Sequence, residues 1–179
     1  MNFKRTDGDD AFSTWLNQEF SWRRIELSYY EGLVKDAKPA SEQMIVRGAI
    51  TLLYAHWEGF VKSAGVTYLE FILSRNKTYE ELRPNFLALG MKGRLHGAES
   101  TLKGRLFVQA CDLILNKKAS RAHFLCAENV DTKSNLTFEV FENILWMLGL
   151  TVRKEYLMAN KTIIEPLIPR DLTVSHSGE

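Results

Sequence analysis

Cysteine is scarce. Cys111 and Cys126 are the only two in 179 residues, too few and too far apart for a zinc site. Without a secretion signal they read as buried thiols in a reducing compartment. The start, MNFKRTDGDD, has no apolar core for a signal sequence, and no run reaches the about eighteen apolar residues of a membrane span. The expectation is a cytoplasmic protein without a membrane partner. Net charge is nearly absent as well: +1 overall excludes neither a small-molecule site nor a nucleic acid, because phosphate affinity follows where charges sit. No strand pattern of useful length and no internal repeat is visible. There is no glycine-rich phosphate loop, no serine or cysteine nucleophile in a recognisable setting and no paired-carboxylate motif, so no cofactor is expected.

What is present is helical periodicity. In residues 41–73 the apolar positions Val46, Ala49, Leu53, Trp57, Phe60, Ala64, Tyr68 and Phe71 follow at spacings of three or four. A second stripe through Ile50, Tyr54, Val61 and Leu69 leaves a narrow polar seam of Arg47, Thr51, Glu58 and Lys62. This reads as a central helix, capped by Ser41. Its small residues, Gly48, Gly59 and Gly65 among them, cost helix propensity at about 1 kcal/mol per glycine, and so point to close approach of a neighbouring helix. A first helix over about 11–35, capped by Asp9 or Asp10, should lie antiparallel to it across the short link 36–40. A turn and short helix follow over 79–90, with Pro84 near the start. Gly90, Gly93 and Gly97 argue against helix beyond it. A third long helix is expected over 98–117 with Leu102, Leu106, Ala110, Leu113 and Ile114 on one face, then a loop over 120–130. A fourth helix over 137–148 is stopped by Gly149, and a fifth segment opens near Lys161 and Thr162. With 45% hydrophobic residues, this is one all-α domain spanning 1–179, large enough to bury roughly 70% of its unfolded surface.

Three places carry candidate chemistry. Residues 91–123 hold seven basic side chains (Lys92, Arg94, Lys103, Arg105, Lys117, Lys118 and Arg121) against two acids, Glu99 and Asp112. They could hold a phosphate backbone; the plain alternative is a solvated helix face. His56 lies between two apolar faces, where a lone histidine is more often a satisfied core residue than a ligand or base. His96 and His123 have no second metal-type residue at a useful spacing. The tail 170–176 brings Arg170, Asp171 and His176 close in sequence. A histidine can move the protons of a 2′-hydroxyl or a leaving 5′-oxygen at neutral pH, and a guanidinium can hold phosphorane charge. By itself this is a weak signal, since on a straight helix six residues separate the two side chains by about 120°.

The stretches LLYAHWEGFVKSAGVTYLEFI (52–72), RPNFLALGMKGRL (83–95) and NVDTKSNLTFEVFENIL with LGL after it (129–150), together with the closing arginine–polar–spacer–histidine motif, resemble the HEPN superfamily of helical domains and, within it, the MAE-like branch. The resemblance covers nearly the whole chain. It implies a HEPN-like bundle built on two long antiparallel helices with additional shorter helices, and a further C-terminal helix after the motif, beyond Glu179. It implies a homodimer that brings two motifs together, and metal-independent endoribonuclease activity in a toxin or defence effector, with an antitoxin or nucleotidyltransferase as partner. Arg170 matches the motif arginine, Asp171 the polar residue after it and His176 the motif histidine; Arg47 and His56 do not match it. The chain departs from the common pattern in having Asp171 for asparagine, Val174 and Ser175 before the histidine, Ser177 for glycine and Pro169 ahead of the arginine. The alternatives to a nuclease are a non-catalytic HEPN module binding protein or RNA, and a helical scaffold with an incidental tail.

Overall fold

The structure, a computed structural model, describes residues 3–4, 8–101, 104–116, 118–133 and 135–152, and singly 154, 155, 158 and 162; of 93–101 it describes the backbone alone. Among these residues the elements are α1 (Asp9–Lys35), α2 (Glu42–Ser74), a 3₁₀ turn (Tyr79–Glu81), α3 (Pro84–Thr101), α4 (Gly104–Asn116), α5 (Cys126–Asn129) and α6 (Phe138–Met147), with no strand. The chain is all-α.

The two long helices run antiparallel, as their short link requires. Phe12 stacks on Phe71 at 5.4 Å, Phe20 meets Phe60 at 5.8 Å, and Glu26 lies opposite His56. Their starts differ from expectation. Gly8 precedes α1, and Asp9 and Asp10 occupy its first turn, where the positive end of the helix favours them; Asp9 also pairs with Arg75 at 2.6 Å. The Ser41 hydroxyl donates to the Lys38 carbonyl and so does not cap α2.

The reading of α2 as central along its whole length is also corrected. Its buried residues begin at His56 and continue through Val61, Gly65, Thr67, Leu69 and Phe71, because the later elements among the described residues cover that half. Met44, Ile50 and Leu53 are exposed, and residues 24–55 form a hairpin extending past the core. Leu69, Leu89, Val130 and Leu136 are the most deeply buried side chains.

Helix α3 is longer than expected and runs through Gly90, Gly93 and Gly97. At Gly90 the reason is packing: a Cβ there would lie 2.9 Å from Cζ of Tyr79. That buried phenol donates to the His123 carbonyl at 2.6 Å and accepts from the His123 amide at 3.0 Å. The 120–130 loop also differs, since its end forms the single turn of α5. Helix α6 matches expectation: the Thr137 hydroxyl accepts from the Val140 amide at 3.2 Å, and Gly149 turns the chain at φ +69°. Neither cysteine is fully buried. Cys111 is exposed, and Cys126 is half-buried, its thiol pushed up to about 11 by burial and by the charge of Glu70. In the fifth segment only Thr162 is described, as helix.

Candidate functional site

The three stretches that carry the resemblance meet one another in space. Glu58 of α2 accepts from the Thr132 hydroxyl at 2.6 Å. The Tyr54 phenol donates to the Asn135 side chain and accepts from the Leu136 amide. These bonds tie α2 to the polar approach of α6, and burial raises the Tyr54 phenol above its ordinary range, helped by the charge of Glu58 and opposed by the Leu136 amide. Behind them Gly65 receives Val130, whose methyl carbon would stand 2.9 Å from a Cβ at that position. From the second stretch Arg83 donates to the Gly149 carbonyl at 2.6 Å and Asn85 to the Trp146 carbonyl at 2.7 Å. The Trp146 carbonyl also accepts from the Gly149 amide at 3.0 Å, so Arg83 and Asn85 both brace the turn that ends α6. The result is a firm base from which the chain leaves α6 toward the tail.

Arg170, Asp171 and His176 lie outside the described residues, as do Lys103 and Lys117 and the side chain of Arg94. Lys92 on α3, Arg105 on α4, and Lys118 and Arg121 in the loop after it are all exposed, free to meet a polyanion or simply solvated. Lys92 also lines a cavity of about 730 Å³ between α2, α3 and the segment 123–131. There Lys62, Lys92 and His123 face the carboxylates of Glu128 and Asp131, so the cavity carries no strong field of one sign. Among the described residues no group of three or more His, Cys, Asp and Glu is gathered where a metal ion could be held.

A second polar group is buried between α1 and α2. Arg23, on the inner face of α1, pairs with Glu19 at 2.6 Å and lies over the ring of Trp22 at 4.2 Å. Burial pushes the Glu19 carboxyl up, but hydrogen bonds from Arg23 and Trp22 and the charge of Arg23 outweigh this and hold it below its ordinary value. His56 is buried edge-on to Trp22, its Nε2 3.2 Å from the Glu26 carboxylate but without an aligned hydrogen bond. Sequence reasoning passed over Arg23. The available signal was an arginine in line with Leu16, Leu27, Tyr30 and Val34, the stripe that faces α2. Because Arg23 and His56 are both buried, this cluster fixes the pairing of the two helices and offers a phosphodiester no approach.

A family described as MAE_28990-like HEPN matches the chain over residues 12–168. No curated protein and no solved structure matches it.

Proposed function

We propose, from the MAE_28990-like HEPN family to which this chain belongs, that it is a metal-independent endoribonuclease acting through Arg170, Asp171 and His176. The observation that carries the reading is family membership joined to the arginine–aspartate–spacer–histidine motif in the tail of the same sequence. His176 takes the proton from a ribose 2′-hydroxyl as that oxygen attacks the adjacent phosphorus, and a histidine in its acid form gives a proton to the leaving 5′-oxygen. Arg170 holds the extra negative charge that develops on the phosphorane, and Asp171 orients one of the two side chains. The products are a 2′,3′-cyclic phosphate and a 5′-hydroxyl. Since a straight helix would set Arg170 and His176 about 120° apart, two motifs brought together by a homodimer supply the acid, the base and the charge. Lys92, Arg105, Lys118 and Arg121 would hold flanking phosphates, and a neutralising antitoxin or nucleotidyltransferase fits a toxin or defence role.

The test is cleavage of total RNA and tRNA by purified protein in EDTA. Cutting is expected to persist in EDTA and to be lost in Arg170→Ala. A dimer that binds RNA and never cuts it would favour the non-catalytic module, the reading to which Asp171, Ser177 and Pro169 lean as departures from the common motif.

A further inference from the structure

Among the described residues nothing covers one face of the hairpin of residues 24–55, at whose edge Trp22 lies. On α1, Trp22, Ile25, Tyr29 and Leu33 fall within about 80° of one another on the helical wheel. All four are exposed, Tyr29 by 71% and Ile25 by 58%, and they form a ridge. On α2, Met44, Gly48, Thr51 and Ala55 fall within about 60° of one another and are likewise exposed. These lie about 150° round α2 from Trp57, which packs on Phe141 of α6. The right-handed course of two antiparallel helices then places ridge and small-residue stripe on the same side, away from the core. Since Glu26 lies opposite His56, both occupy the same length of the hairpin.

Among the described residues nothing packs on Gly48. A glycine inside a helix is costly, and Gly65 and Gly90 are each accounted for by a side chain that needs their space, whereas a Cβ at Gly48 would meet nothing within 4 Å. Gly32 and Gly104 are open in the same way, so the space at Gly48 admits the close approach of a second surface without requiring one.

We infer that this face is the contact between two copies of the chain. The tyrosine-centred ridge of each α1 would lie on the Gly48–Thr51–Ala55 stripe of the other copy's α2, making a four-helix bundle. Three features favour a second copy. An isologous contact needs a surface complementary to itself, and this face carries both ridge and groove. Its large side chains expose on the order of 700 Å² of surface, about one partner's share of a standard interface and above an ordinary monomer patch. Residues 24–55 hold four basic and four acidic side chains, so two copies do not repel and a polyanion finds no net attraction. The evidence for this contact is independent of the nuclease reading.

Light scattering of the full chain tests it. The wild type is expected at twice the chain mass of 20.6 kDa. Tyr29→Asp and Gly48→Leu, each placed on exposed helix, should each weaken the dimer by at least about tenfold with the helical circular dichroism unchanged. Leu115→Asp on the exposed face of α4 should leave it intact. A wild type that is monomeric at every concentration, or a dimer that survives both variants, overturns the inference. A dimer that cuts no RNA leaves it standing and counts against the nuclease reading alone.

Discussion

Alanine in place of His176 is expected to slow RNA cleavage by about 10²–10⁴-fold while leaving mass, helix content and RNA binding unchanged. The size follows from the role. Without a positioned imidazole the 2′-hydroxyl must lose its proton to water and the 5′-oxygen must leave unassisted. The fold should tolerate the change because His176 lies beyond the family-matched span, residues 12–168. Glutamine, which keeps much of the shape and hydrogen bonding but not the proton transfer, should not restore the rate. Single-turnover cleavage of a defined tRNA, with binding followed separately, reads both effects. A His176→Ala protein that cuts at the wild-type rate removes the tail from the mechanism.

Leucine in place of Gly65 is expected to destabilise the protein by about 3 kcal/mol, lowering its melting temperature by roughly 6–12 °C for a chain of this size. The methyl carbons of Val130 lie 2.9 and 3.1 Å from where the first side-chain carbon would go, and Leu148 follows at 3.5 Å. Val130 is itself wholly buried, so α2 and the 129–150 segment must move apart to admit a side chain. The gain in helix propensity on removing a glycine, about 1 kcal/mol, offsets only part of this. Thermal unfolding followed by circular dichroism measures it, with an unchanged midpoint contradicting the packing described.

Gly65 and Gly48 also show how far the sequence could be read. Both stand in the same apolar helix, and spacing alone says of each only that something approaches closely. For Gly65 the neighbour is Val130, from the same chain. For Gly48 the described residues provide none, so the same helical spacing that marks a core position at Gly65 marks an exposed one at Gly48. Antiparallel α1 and α2 followed from their apolar stripes and short link, and the end of α6 from Gly149, because a helix stop is local chemistry. The glycines of α3 misled for the opposite reason: propensity counts their cost, but the packing of Tyr79 against Gly90 is non-local. Arg23 was missed because its burial depends on Glu19 and Trp22 beside it and on α2 opposite. The proposed catalytic trio was legible only as a family motif, since on a straight helix the spacing of Arg170 and His176 sets their side chains about 120° apart.

The most direct measurement is the chemistry of the cut ends. RNA cleaved by the wild-type protein in EDTA should carry 2′,3′-cyclic phosphate on the upstream fragment and 5′-hydroxyl on the downstream one. These ends follow when the 2′-oxygen itself is the nucleophile and His176 moves the protons. Fragments ending in 3′-hydroxyl and 5′-phosphate, formed only when divalent metal is restored, would mean that water is the nucleophile and would contradict the account.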